Sequence, residues 1–401
     1  MLLFLKTNYN KIIEWANIIF LFLFSVHLFN FPDKLILLWC AFAISLFFYV
    51  HQKLCLDKIF CVFALAIILN GLGTYYYLGP SMNWSLGNLV KLVAPVIIIY
   101  PFAKQLIYKK NDGYFEKVLL AIAIGTFVYS LLNHYSFLMH GFSEGGRIWS
   151  EFWTDYPMNA THHSFWGCFI VGLCGYAFVL FSEKKWIKGA IIIILIIIEN
   201  IIHIVVDNRM VLCVSLVAIA VSIFLYIIFN MNNTIKIKRI LLITLCALLL
   251  VIFVFQSDIF GIRSSGYFQR FVTRNGGIIK NVRFQMIYEA IKMLPSHWNG
   301  GATMGAAGYY RVHNYWLQVA NVSGIFPFTL WMIVNISTVA DVIKIVKASH
   351  ISRKIKYMFL PMLAAVVSYL MMEPGGTESN RYIIFYVILI AMLKQAVSRN
   401  E

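Results

Sequence analysis

From Val211 to Phe229, nineteen consecutive residues carry no charge, and Leu241–Phe255 is a second such block. A helix of that length crosses about 30 Å of hydrocarbon. A chain made of such blocks must close its backbone hydrogen bonds within each helix, because lipid offers no partners. Hydrophobic residues make up 61% of the 401 residues and charged ones only 12%, against about 25% charged in an ordinary soluble domain. That balance excludes a soluble enzyme, a disordered chain and a collagen-like fibre. The expected fold class is all-α: one integral membrane domain over 1–401, with no internal repeat and no separate soluble domain.

Hydropathy predicts twelve spans, at 12–30, 35–51, 58–77, 88–106, 116–136, 164–182, 187–205, 209–230, 238–256, 316–343, 357–372 and 382–398. The first follows Lys6 and Lys11 and has no small-x-small cleavage site behind it, so it reads as a retained signal anchor. The seven cysteines include no Cys-x-x-Cys pair, and neither a disulfide framework nor a thiolate metal site is supported.

The net charge of +16 would suggest nucleic acid in a soluble protein, but alternate loops explain most of it here. With twelve spans, 21 of the 33 Lys and Arg residues collect on one side, among them Lys104, Lys110, Lys184, Lys347 and Lys354. Basic short loops stay in the cytoplasm, so both termini are expected there. Two outer segments remain, a smaller one at 137–163 and a large one at 257–315. The large one carries seven basic residues, including Arg270, Arg274, Arg283 and Arg311, against Asp258 and Glu289. Either this is a solvated basic loop or it meets an anionic partner. Within it, Asn281–Leu294 has Phe284, Ile287, Ile291 and Leu294 at helical spacing and is closed by Pro295, which predicts an amphipathic surface helix. Arg263, Tyr267, Arg270 and Arg274 fall on one stripe if their stretch is helical. Gly300, Gly301, Gly305 and Gly308 could follow a chain-like substrate, but no P-loop pattern is present.

The smaller segment sets Trp149 and Trp153 beside Arg147, Glu144, Glu151, Asp155, His162 and His163. Aromatic faces with carboxylates suit sugars, and tryptophans also line membrane interfaces. Arg209 opens the eighth span after Asp207 and Asn208, where it can snorkel, pair with Asp207, or serve a site. Arg147, Arg209, Arg283 and Arg381 could together form a forked clamp for a diphosphate. His313, where the large loop enters the tenth span, can take a hydroxyl proton near neutrality or can simply hydrogen-bond at the interface. No metal is expected: His162 and His163 are adjacent, no His-Glu-x-x-His occurs, and no clustered acidic motif marks a Mg²⁺ site. Span middles nearly free of Asp, Glu, Lys and Arg disfavour an ion-coupled carrier or flippase.

His313-Asn314, nine residues and then Gly324 resemble the motif of the O-antigen ligase and polymerase superfamily. This chain departs from the motif's usual Gly-x-x-Gly/Thr/Tyr ending with Gly324-Ile-Phe-Pro327. The twelve-span layout with arginines before and within a long outer loop is also similar. The resemblance implies a GT-C-like membrane glycosyltransferase of the bacterial inner membrane. It would transfer glycan from undecaprenyl diphosphate on the outer face without a cofactor. By that resemblance Arg209, Arg283 and His313 are the catalytic set and Arg147 a further diphosphate ligand. Arg270, Arg274, Arg311, Asn314, Arg381, Glu151 and Tyr267 are candidates for holding substrate. His313 or Glu151 would deprotonate the attacking hydroxyl. The first reading is an O-antigen or capsule polymerase acting on a lipid-linked repeat unit, with a chain-length regulator as a possible partner. The second is a ligase onto lipid A–core.

Overall fold

The computed structural model describes residues 2–28, 56–80, 83–108, 110–143, 147–154, 156–231, 282–302, 312–373 and 381–398, with 235, 238 and 242 as single positions. These residues are mostly helical. The helices are α1 (Leu2–Ser25), α2 (Lys58–Leu78), α3 (Leu86–Ile107), α4 (Asp112–His140), α5 (Ala160–Val171), α6 (Cys174–Ser182), α7 (Trp186–Val205) and α8 (Met210–Phe229). They continue with α9 (Val282–Met293), α10 (Tyr315–Ser323), α11 (Ile325–Lys347), α12 (Arg353–Met372) and α13 (Arg381–Val397). Eight helical stretches are long and apolar enough to cross a membrane, α5 and α6 counting as one across a short break at Gly172. The expected span 35–51 lies outside the described residues, as does 238–256 apart from positions 238 and 242.

The core runs along α3, α4, α5, α12 and α13, and α13 is buried almost along its whole length. By contrast α7 and α8 turn rows of Ile and Leu outward, as lipid-facing helices do. The surface helix expected at Asn281–Leu294 forms as α9. Its packed side carries Met286, Ile287, Ala290 and Met293, while Ile291 is exposed, so the buried stripe is rotated from the predicted one.

The expected tenth span, 316–343, is not one helix. It breaks between α10 and α11 at Gly324, whose φ of 97° and ψ of 172° suit only glycine. A Cβ there would meet the Asn299 carbonyl carbon at 2.7 Å. The interruption is closed by neighbouring backbone. Gly301 N–H donates to the Val322 carbonyl at 3.0 Å, Ala302 N–H to Asn321 at 2.9 Å, and Ile325 N–H to Trp298 at 2.8 Å. Gly300 and Gly301, read as candidates for following a substrate, instead press against Val322 and the Tyr77 ring with φ of 100° and 77°. Gly305 and Gly308 lie outside the described residues.

Polar contacts sort the molecule into two ends. At one end, Lys110 pairs with Glu14 at 2.6 Å, Lys354 with Glu116 at 2.7 Å, and Asp112 accepts from Ser352 N–H at 2.7 Å. Lys104 pairs there with Asp57, the N-cap of α2, at 2.6 Å. Burial pushes the Asp57 carboxyl up, but the Lys104 ammonium, the Phe60 N–H and the Tyr100 hydroxyl outweigh it and hold it below its ordinary value. The opposite end carries a hairpin, the α7–α8 turn and the junctions into α10 and α13.

Two measurements follow. Gly324→Ala should cost about 1–3 kcal/mol from backbone strain alone, seen as a lower melting point in detergent. Gly113→Ala, whose Cβ would meet only Asn111 at 3.5 Å, should leave the melting point unchanged. Asp57→Asn should cost about 1–3 kcal/mol at neutral pH. Because the folded carboxyl is held low, that difference should shrink as pH falls below about 4 and through the folded value.

Candidate active site

The hairpin is a short two-stranded sheet, β1 (Ile148–Ser150) against antiparallel β2 (Pro157–Asn159), with Trp149 opposite Met158. Both strands alternate, so Trp149 and Met158 turn inward while Ile148 and Pro157 face out. α4 fastens it: Ser136 donates to the Ser150 carbonyl at 2.7 Å, and the Asn133 side chain accepts from Phe152 N–H at 3.2 Å. Asn159 then caps α5 by accepting from His162 N–H at 2.7 Å. The hydropathy of this region predicted only a loop.

The hairpin delivers Glu151 inward. Its side chain is only 2% exposed and accepts from the Tyr129 hydroxyl of α4 and from Thr154 at 2.8 Å. Arg381, the first residue of α13, reaches both carboxylate oxygens at 3.3 Å. Glu151 is therefore a buried anchor for a guanidinium.

His313 stands just before α10. Its Nδ1 lies 3.1 Å from Glu373 Oε2 at the end of α12, where the carboxylate is 2% and the imidazole 27% exposed. An Nδ1–H held by a carboxylate leaves Nε2 as the proton acceptor. Asn314, expected to hold substrate, is committed to structure. Its Oδ1 accepts from Leu317 N–H at 3.0 Å as the N-cap of α10, and its Nδ2 donates to the Met371 carbonyl at 3.1 Å. Asn314 thus fixes His313 to the end of α12 from both sides.

Arg147 donates to the Asp207 carbonyl and lies 4.0 Å from its carboxylate. Asp207 has a φ of 55° in the tight α7–α8 turn, and Asn208 ties that turn to the start of α5 through the Ala160 carbonyl. Asp207 therefore meets Arg147 rather than serving Arg209 alone, and Arg209 is the partly exposed N-cap of α8. His162 faces the Tyr382 ring at 5.7 Å, while His163 points into the bundle. Arg283 lies on α9, but its side chain, like Tyr267, Arg270, Arg274 and Arg311, lies outside the described residues.

The fold brings His313, Arg381, Arg147 and Arg209 to one end, opposite the lysine-rich one. Tyr369 of α12 links the two halves of the site by donating to the Thr161 carbonyl of α5 at 3.1 Å. Residue-by-residue reasoning missed Glu373 and Tyr129, and it set Asp207 beside Arg209 but not Arg147. Glu373 did carry a signal, a lone carboxylate ending an apolar run before Pro374-Gly375-Gly376. The chain matches no protein-family model and no curated protein.

Glu151→Ala would leave the Arg381 charge and the Tyr129 hydroxyl without their buried acceptor. The expected cost is about 3–5 kcal/mol, read as lost thermal stability of the purified protein. Arg147→Ala, whose side chain is 42% exposed, should cost about 1 kcal/mol or less.

Proposed function

We propose that this chain is a bacterial inner-membrane polysaccharide polymerase, a GT-C-like enzyme of twelve spans that extends a lipid-linked glycan at the outer face. The observation that carries the reading is the His313–Glu373 pair at the same end as Arg381, Arg147 and Arg209. An imidazole backed by a buried carboxylate is a general base in working orientation, contributing typically about 10²–10⁴-fold to proton transfer. It would take the proton of the attacking sugar hydroxyl through Nε2 while the anomeric carbon passes from diphosphate to acceptor oxygen with inversion.

The arginines supply the other half of the chemistry. Charge grows on the departing diphosphate, and guanidinium forks placed there stabilise it more in the transition state than in the ground state. Arg209 and Arg283 are the residues assigned to that role. Arg381 and Arg147 are each fastened by a carboxylate, and a guanidinium has five donors, so a fastened arginine can still meet a phosphate. The cluster of cation and imidazole at the end away from the lysine-rich loops agrees with an outer-face reaction under the positive-inside rule. Glycan, carrier and bilayer are then its partners, with the large outer segment as the place for the acceptor.

The deciding assay gives purified protein undecaprenyl-diphosphate-linked repeat units alone and resolves the products on a gel. A ladder of longer lipid-linked glycans is expected. Transfer that appears only after adding lipid A–core would instead establish the ligase, and no transfer with either acceptor would overturn both. Within a positive assay, His313→Ala should abolish the ladder. Glu373→Gln should lower kcat by roughly 10²–10⁴ with KM little changed, because it disorients the base without touching the donor site.

A further inference from the structure

A second ionisable cluster lies inside the bundle, away from the His313 site. Glu199 of α7 is wholly buried, as are His203 one turn later and His163 of α5. Glu199 Oε1 accepts from the Ser130 hydroxyl of α4 at 2.7 Å and faces His203 Nε2 at 2.9 Å. His163 Nε2 lies 3.0 Å from the Ser130 backbone carbonyl and 3.1 Å from its hydroxyl. Gly167 of α5 makes room for the carboxylate, since a Cβ there would meet Oε1 at 2.7 Å.

For an ionised Glu199 the hydrogen-bond pattern fixes where the protons are. A carbonyl only accepts, so His163 must donate from Nε2. Ser130 has one hydrogen and spends it on Glu199, and His203 donates to the same oxygen from Nε2. Neutral imidazoles that donate from Nε2 keep a lone pair on Nδ1. His163 Nδ1, His203 Nδ1 and Glu199 Oε2 are all buried with no hydrogen-bond partner among the described residues. The cluster thus presents three bare acceptors and, with Glu199 ionised, one uncompensated negative charge inside the helix bundle. An isolated buried carboxylate is among the most costly arrangements a protein can hold, and it neutralises instead. Shifting the proton to an imidazole would leave an ion pair out of water with its remaining N–H unmatched, which is also costly.

We infer that Glu199, His163, His203 and Ser130 form an intramembrane binding site for one proton, carried by Glu199 as an un-ionised carboxylic acid near neutral pH. The other groups facing it are accounted for. α4 adds His134, one turn beyond Ser130, and α5 adds Cys168. β1 covers His163 with the Trp149 ring at 5.4 Å, and α8 brings Val211 against the same space. His134 is only partly buried, and its Nδ1 also lacks a partner among the described residues. It stands one turn nearer the hairpin end than Ser130, and on this inference it is where the proton exchanges with water.

Infrared spectra of the full-length protein in lipid nanodiscs test this at about pH 6, well above the ordinary glutamate value of roughly 4.3. Wild type should show the carbonyl band of an un-ionised carboxyl that Glu199→Gln lacks. The band should shift in D₂O, and more slowly in His134→Phe. Absence of any such band in the wild type means that Glu199 is ionised and overturns the inference. Should Glu199→Gln fail to fold, carbodiimide labelling of the wild type decides, because the reagent adds to protonated carboxyls. Modification of Glu199 at about pH 6 supports the site, and modification that begins only below about pH 4.3 overturns it. These readouts do not depend on glycan transfer, so the polymerase reading and this one can fail separately.

Discussion

The Glu151 carboxylate holds the hairpin end together. It receives the Tyr129 hydroxyl from α4, Thr154 from its own turn and the Arg381 guanidinium from α13, all with almost no contact with solvent. α13 is far in sequence from α4 and the hairpin, and Glu151 joins all three. A buried charge with a shortage of partners is severely penalised, so the arrangement that satisfies all of Glu151 is strongly selected over near alternatives. Once Arg381 is fixed, the start of α13 is fixed. Tyr382, the next residue, then meets Phe165 at 4.7 Å and His162 at 5.7 Å. The end of α12 is held against the same helix α5 by Tyr369, and His313 with Glu373 hangs from it.

The same scarcity of partners explains which parts of the fold could be read from the sequence. Helices such as Met210–Phe229 were legible because lipid leaves a backbone no other way to pair its donors and acceptors. The break at Gly324 was hidden by the unbroken hydropathy around it. Yet Gly324 followed by Pro327 is a local signal: glycine permits the left-handed φ, and proline sits within the first turn of α11, where its missing N–H costs nothing. What the sequence could not announce is that Trp298–Ala302 would supply the hydrogen bonds that make the break stable. Gly324-Ile-Phe-Pro327 falls at this structural junction. His313 and the arginines stood out as unusual residue types at span edges. Their pairings did not, because Glu373 is 60 residues from His313, Asp207 is 60 from Arg147 and Glu151 is 230 from Arg381.

Glu199 shows the limit of counting charges. It stands alone in an isoleucine-rich span, and one carboxylate among twenty residues hardly changes the hydropathy. The expectation of nearly charge-free spans holds as a count. The count says nothing of what surrounds the few exceptions, and those are buried among polar partners. Asp341 and Lys394 are another such case, joined at 2.6 Å between α11 and α13. That pair is matched in charge and hydrogen-bonded to Ser337, so it reads as a tie between helices. Glu199 is surrounded by neutral donors and unfilled acceptors, so the two buried carboxylates differ in kind although both sit in apolar helices.

Glu199 also stands in line with the hairpin end of the bundle. His203 lies four residues on along α7, and four more reach Asp207, which receives Arg147 in the strained turn leading to Arg209. On the other side, His163 is one residue from His162, which faces Tyr382 next to Arg381. Glu199 thus lies about two helical turns along α7 from the Asp207 turn that receives Arg147, and it packs against α5, whose first turn meets the start of α13. A field inside a low-dielectric bundle is weakly screened over such distances. Gly167 keeps that packing open, since a Cβ there would crowd Glu199 Oε1 at 2.7 Å and Val211 Cγ2 at 3.1 Å.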